Sequence, residues 1–578
     1  MFALSGCGGG DGGPVVSATD KYNLVPTPTA TLMPSSGVTP ARNYPFLAAD
    51  FNPAAYGFTE QEFKIEGKAK SYNIPAATYP ATTTNATVAT SDNPYRTRMM
   101  VYRPTDAAKF NGTVIVEWVN ATNGWDTPIH WFEQKEMFLR KGYAYVGVTN
   151  QNATISGENG LKAWSPTRYG DFDVTNGGTV PAEGLSNDIY SQAAKAVRAL
   201  PVVLGGLPIK KVIGVGESQS GSRGAAYFNY VHPLTGNIFD AGLVTQTTSA
   251  IRTDLTIPMI RIMTETEFRT VAANSASVQP DTPMFKAWFV TGSTHSNLTS
   301  LLPRSAQYVR DFNGKAIGDT CSISQNSRLP LTYAYNAATV ALEKYLDNGT
   351  ALPTSPRPTY QTAAPSGLQR DADGIALGGI RYPDVAVPVA MASGVVQGVT
   401  AAGTPCGNLG GTYVPFTKAR LDALYPTHAD YVGKVTANVA SLTGSGFMLP
   451  LDAEDVLARA NASIYGLNLN CDGALCADNF LFPQKPSILN LRWHIYTYYL
   501  PSSAQLLAPV DQAARQIATG YNTADPALAR SHFAQAVASL QTYRGLVQQQ
   551  VAAGVLSGEA AGYLADQATR LMGELQKL

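Results

Sequence analysis

One run, KKVIGVGESQSGSRGAAYFNYVHP from Lys210 to Pro233, constrains this chain more than any other. Val212 to Val215 read as a buried strand, and the Ala- and aromatic-rich residues after Ser220 read as a helix. Between them stands Ser218, flanked by Gly216 on one side and by Ser220 and Gly221 on the other. A strand that turns directly into a helix needs tight backbone angles at the corner, and small neighbours permit them. The Ser218 hydroxyl then stands clear of the strand end, with the free N–H groups of the helix start beneath it. Gly-x-Ser-x-small is a weak signal by itself in a chain with 52 glycines. The strand–turn–helix context gives it weight, against an ordinary turn carrying a surface serine.

The flanking pattern supports that context. The runs FKIEGKAKSYNI, YRTRMMVYRP, GTVIVEWVN and YAYVGVTNQ precede the serine as strands, and FDAGLVTQ, IPMIRIMTE and FKAWFVTG follow it. Helical patterns at Ile129 to Arg140, at Ser186 to Leu200 and after Ser218 alternate with them. This alternation predicts an α/β fold, a mostly parallel sheet with helices on both faces. Reactive groups in such sheets sit at the carboxyl ends of the strands.

A nucleophilic serine needs a base, and the base needs an orienting acid. In the chain order that goes with this kind of elbow, both follow the serine. Of the six histidines five do so. His232 lies too far along the elbow helix to reach back. His295 follows the strand Phe285 to Val290 by a short turn, at the same sheet edge as Ser218, and is the expected base; His428 and His494 are weaker candidates. The strand IPMIRIMTETEF ends in Glu265 and Glu267. The usual interval after the strand-opening proline favours Glu267 as the acid, with Glu265 the alternative. The oxyanion donors are expected at the N–H of Gln219 and at Asn120 or Ala121, in the loop WVNATNGWDTP. Trp118, Trp125 and Trp131 around that loop could wall a pocket or belong to the core. No HExxH, HxH or P-loop pattern occurs, so neither a metal nor another cofactor is expected. Asp371-Ala-Asp-Gly reads as a turn rather than a calcium loop.

Lys plus Arg and Asp plus Glu number 42 each, a balance that gives no sign of a nucleic-acid partner. Charged residues are only 15%, while prolines number 37, as suits a loop-rich secreted protein. Leu4-Ser5-Gly6-Cys7 matches a bacterial lipobox, which predicts a lipid on Cys7, a membrane attachment through it and a place in the cell envelope. The charged and apolar parts of a signal peptide are missing upstream, so the natural start is expected earlier. The other four cysteines predict disulfides, Cys471 with Cys476 in a small loop and Cys321 with Cys406 across a long one. Residues 1–45 read as lipobox and flexible spacer, 46–299 as the sheet-bearing core, 300–490 as an accessory or cap region packed on it, and 491–578 as a helical hairpin or bundle with a turn at Gly554 to Gly558. That tail is expected to be dispensable for chemistry.

With these residues in hand, the chain resembles a bacterial family of secreted hydrolases known as the alpha/beta hydrolase domain family. The stretches VIVEWVNATNGWDTP, NDIYSQAAKAVR, GESQSGSRGAAYFNYVHP, IRIMTETEF, AWFVTGSTHSN and DGIALGGIRYPDVAVPVA carry the likeness, over roughly residues 60 to 480. The resemblance implies the α/β-hydrolase fold, a serine esterase activity and the roles of Ser218 and His295. Ser220 replaces the second glycine of the generic elbow. The expectation is a lipid-anchored or secreted serine hydrolase acting on small-molecule or polymeric carboxylic esters. The alternatives are a non-catalytic surface binding protein on the same fold, or an acyltransferase using the same three residues.

Overall fold

The computed structural model describes residues 22–78, 80–269, 278–312, 321–323, 325–361, 367–407, 409–467, 475, 487–497 and 503–578. Strands β1 (Thr29–Leu32), β2 (Phe58–Asn73), β3 (Thr87–Pro104), β4 (Thr113–Trp118), β5 (Ala144–Thr149), β6 (Lys211–Glu217), β7 (Ala241–Thr245), β8 (Met259–Thr264) and β9 (Phe285–Val290) form one sheet. Their order is β1-β2-β3-β5-β4-β6-β7-β8-β9. From β5 to β9 every neighbouring pair is parallel, whereas β1, β2 and β3 add an antiparallel wing. All residues of β4, β5, β7 and β8 are buried. Their near-continuous apolar runs suit a sheet covered on both faces.

Alternation along β4 separates the two faces. Glu117 points to one, where its oxygens accept the N–H groups of His130 (3.0 Å) and Trp131 (3.2 Å) and so cap helix Ile129–Lys141. Trp118 points to the other, against Tyr190 of helix Ser186–Ala199 and Tyr227 beyond the elbow helix. One continuous apolar core runs through both faces. No helix among the described residues is long and apolar enough to cross a membrane.

The spacer expectation needs correction. The spacer expected to reach residue 45 is packed onto the core from residue 22. There β1 pairs with β2, Tyr44 donates to Asp311 Oδ1 at 2.7 Å, and Lys195 donates to the Tyr22 carbonyl. Its Pro- and Thr-rich composition describes an extended edge, and the buried Val25, Tyr44 and Phe46 anchor it. Beyond residue 299 the chain continues to pack on the sheet. Helix Thr332–Asn348 lies on the sheet beside helix Ile129–Lys141, and Ile380 bridges Val290 at the β9 edge. Residues 390–415 add a two-stranded ribbon, β10 (Ala390–Ser393) with β11 (Thr412–Pro415).

The tail is a bundle. Helices Ile488–Thr497, Ser503–Tyr521, Pro526–Ala552 and Gly558–Leu575 enclose a second apolar core, and the expected turn separates the last two. It is also docked. Ser557 Oγ donates to the Asp50 carbonyl, Arg310 pairs with Glu559 at 3.2 Å, and Tyr563 packs against Leu298 and Leu302.

Candidate active site

The corner between β6 and helix Gln219–Ala226 holds Ser218 at φ 59°, ψ −118°. A non-glycine residue there is strained by roughly 1–3 kcal/mol and persists because the surroundings over-determine it. The Ser218 N–H donates to the Thr245 carbonyl at 2.9 Å. A Cβ on Gly216 would lie 2.7 Å from the Ser220 carbonyl oxygen, and one on Gly221 would lie 2.5 Å from that of Thr245. Both positions therefore require glycine. Ser220 departs from the generic pattern without opening the turn. Its side chain is buried, donates to the Glu217 carbonyl at 2.8 Å and accepts the Glu217 N–H at 3.0 Å.

The carboxyl ends of β8 and β9 bring two further groups to this corner. His295 Nε2 lies 2.7 Å from Ser218 Oγ, and His295 Nδ1 lies 2.5 Å from Glu267 Oε1. The carboxylate accepts, so Nδ1 carries the ring proton and Nε2 is free to accept from the serine hydroxyl. Side-chain exposure is 15% for His295 and 8% for Glu267, which leaves the imidazole approachable and the acid shielded. The Thr266 hydroxyl accepts the His295 N–H at 3.1 Å, so residues 264–267 hold the histidine at two points.

Glu265 does not reach the histidine. It is fully buried and accepts from the Gly292 N–H (2.8 Å), the Gly394 N–H (3.0 Å), Arg370 (2.7 Å) and the Ser393 hydroxyl (3.2 Å). Strand alternation ends at Thr264, and the next four residues form a helical turn that swings Glu265 inward and Glu267 towards the serine.

The two oxyanion candidates in the β4 loop also separate. The Asn120 N–H is already given to the Thr127 carbonyl at 3.2 Å, so this backbone donor is engaged. The Ala121 N–H faces the Gln219 side chain, with its oxygen 3.4 Å away. The N–H of Gln219 is the first in its helix and has no intrahelical acceptor. Asn120 instead works through its side chain, whose amide donates to the Glu217 carbonyl at 2.9 Å and whose oxygen accepts the Thr122 N–H.

Of the three tryptophans, Trp118 and Trp131 are core residues, the latter stacked on Tyr102 at 3.8 Å. Trp125 is half-buried and packs against Tyr308 and Phe312. The ring nitrogens of His428 lie 2.7 Å from the Tyr465 carbonyl oxygen and 3.1 Å from that of Asn461, away from Ser218, and His494 is buried beside Tyr563. Cys321 and Cys406 form a disulfide. Cys7, Cys471 and Cys476 lie outside the described residues. Among the described residues no group of three metal-ligating side chains gathers.

Beneath the serine lies a buried polar layer that periodicity alone does not reveal. Tyr335 donates to Glu217 Oε2 at 2.9 Å and stacks on His130. Burial pushes the carboxyls of Glu117 and Glu133 up to about 7 and holds Glu217 well above the usual carboxylate range. Burial also pushes His130 down to about 4. Gln151, at the end of β5, is another residue with no sequence signature; it is buried and bonded to Gln219.

Comparison with solved structures finds only distant likenesses. The rice cell wall degrading esterase LipA from Xanthomonas oryzae is 13% identical, over 38% of this chain and 50% of that one, with a TM-score of 0.20. The poly(3-hydroxybutyrate) depolymerase LpqC from Bordetella parapertussis is 14% identical over 32% and 66%, with a TM-score of 0.19. Esterase Est22 is 12% identical over 38% and 68%, with a TM-score of 0.24. The chain thus spans about half the length of LipA. No curated protein matches it in sequence. The profile of the alpha/beta hydrolase domain family, by contrast, matches residues 25–458, from the edge strand through the ribbon and short of the tail bundle. On that match over most of its length, the chain belongs to the alpha/beta hydrolase domain family.

Proposed function

We propose that this protein is a serine hydrolase that cleaves carboxylic esters through an acyl-enzyme on Ser218. The observation that carries the reading is the unbroken hydrogen-bond chain Ser218–His295–Glu267. In the first step Ser218 Oγ bonds to the ester carbonyl carbon while its proton passes to His295 Nε2. The carbonyl oxygen becomes an oxyanion facing the Ala121 and Gln219 N–H groups. The carbon–alkoxy bond then breaks, and the departing oxygen takes the proton from Nε2. Water repeats the sequence: its proton goes to Nε2, its oxygen bonds to the acyl carbon, and the proton returns to Ser218 Oγ as the acid leaves. Glu267 stabilises the imidazolium formed in each half.

The anchoring part of the reading rests on the Leu4-Ser5-Gly6-Cys7 motif. A lipid on Cys7 would hold the enzyme to the bacterial envelope. Cys7→Ser in the full-length protein would then move it from the membrane fraction to the soluble one.

Turnover of p-nitrophenyl esters of graded acyl length tests the activity, with labelling by a fluorophosphonate probe as a count of active sites. Ser218→Ala is expected to lose about 10⁴-fold or more in kcat/KM and all labelling. Equal turnover in wild type and variant would refute the assignment. Alcohol added to the assay separates hydrolysis from acyl transfer by its products.

A further inference from the structure

The N–H of Ala121 and the N–H of Gln219 come from different loops, one after β4 and one after β6. An oxyanion hole works only when its donors are spaced beforehand, because reorganisation during the reaction cancels the gain. A closed ring of hydrogen bonds joins those loops. Gln151 Nε2 donates to the Val119 carbonyl at 3.1 Å and to Gln219 Oε1 at 3.2 Å. Gln219 Nε2 donates back to Gln151 Oε1 at 2.5 Å. The Ala121 N–H closes the ring on Gln219 Oε1 at 3.4 Å.

Gln151 is well placed to be the fixed member. It is 2% exposed, and its own carbonyl accepts the Thr154 N–H (3.3 Å) and hydroxyl (3.1 Å). Gln219 is more open and bears the nearer contact to the reacting corner. The 3.4 Å bond from Ala121 is the longest in the ring, hence the one most easily exchanged for a substrate oxygen.

We propose that Gln151 is a positioning residue of the oxyanion hole, holding the Gln219 side chain so that the Ala121 and Gln219 N–H groups keep a fixed spacing. In the resting enzyme the Gln219 amide oxygen rests against the Ala121 N–H. The substrate carbonyl oxygen takes over that donor, while the paired amides of Gln151 and Gln219 stay joined behind it. This inference rests on the serine-esterase reading above. Gln151 touches no reacting atom; it acts through Gln219.

The test compares wild type with Gln151→Met, which keeps the length and removes every hydrogen bond of the side chain, and with Gln151→Glu, which can accept from Gln219 but cannot donate to Val119 or to Gln219 Oε1. Kinetics are normalised to sites titrated by fluorophosphonate, so a loss of folded protein does not register as a loss of rate. Both variants are expected to lower kcat per titrated site by about 10–100-fold with KM changed less than threefold. Affinity for a trifluoromethyl ketone, which forms a tetrahedral adduct on the serine, is expected to fall in parallel with kcat. Gln219→Met, altered from the exposed side of the ring, is expected to behave like Gln151→Met and serves if the buried substitution does not fold. Unchanged kcat per site and unchanged ketone affinity in the variants that fold would overturn the positioning role while leaving the esterase intact. Absence of both turnover and labelling in wild type would overturn the esterase reading, and this inference with it.

Discussion

Glu267 Oε1 accepts the Nδ1 proton of His295 at 2.5 Å, while the other oxygen of the same carboxylate accepts the backbone N–H of Thr264 at 2.7 Å and its hydroxyl at 2.6 Å. One residue thus completes a capping box and orients the imidazole. The helical turn holds the acid through bonds that do not involve the histidine, and its position does not depend on the strand's alternation.

Replacing Glu267 by Gln separates those two duties. The amide oxygen can still accept from Thr264, but the amide N–H group then faces Nδ1 and favours the tautomer that cannot accept from Ser218. A loss in kcat of about 10²–10⁴-fold is expected with little change in thermal midpoint. Glu267→Ala removes the cap as well and is expected to cost a further ~0.5–2 kcal/mol of stability. Steady-state kinetics and urea unfolding on the two variants check both numbers.

Glu265 is expected to show the opposite profile. Its carboxylate joins the β9 turn at Gly292 to Arg370 and to the start of the segment after β10. Glu265→Ala strands two backbone donors and a partly buried guanidinium. A loss of about 3–5 kcal/mol is expected, as when one partner of a buried pair is removed. Fluorophosphonate labelling of the molecules that remain folded is expected to persist. An unfolding midpoint equal to wild type would count against this role.

The buried layer predicts a pH-dependent difference. Burial raises Glu133 to about 7. The native state therefore holds a proton that the unfolded chain releases once pH exceeds the ordinary carboxylate value, about 4.5. The contribution of this group to stability is fully present below that value and is lost as pH rises through about 7. Gln mimics the protonated form and has no such loss. The stability of Glu133→Gln relative to wild type is expected to rise between pH 5 and pH 8, by about 1.4 kcal/mol per unit at most. Urea midpoints of both proteins across this range give the difference directly. A flat difference would show that Glu133 titrates normally.

The tail bundle is expected to matter for the site although it carries no chemistry. Tyr563 packs on Leu298 and Leu302, three and seven residues beyond His295. Deleting residues 503–578 uncovers those leucines and removes the Arg310–Glu559 pair. Lower stability and reduced turnover per titrated site are expected. Tyr563→Ala should reproduce part of the turnover loss with the bundle retained. Full activity in a folded deletion would restore the dispensable role that composition suggests.

Local pattern was enough for much of this protein. β-branched runs separated by helical ones determine a parallel sheet, because buried strands and amphipathic helices leave distinct periodicities. The elbow was legible because its constraint is local: Gly216 and Gly221 have no room for a Cβ beside the corner. Chain order and strand ends then singled out His295, and the interval from the strand-opening proline preferred Glu267 to Glu265. Tertiary structure alone decided what depends on long-range partners. Thr127 claims the Asn120 N–H and leaves Ala121 facing the site. Pairing with β2 turns a Pro- and Thr-rich stretch into an edge strand, and Asp50, Arg310 and Leu298 receive the tail. The ring through Gln151 joins residues up to 98 positions apart, and no spacing in the sequence records a contact that forms only when the ends of β4, β5 and β6 meet at one sheet edge.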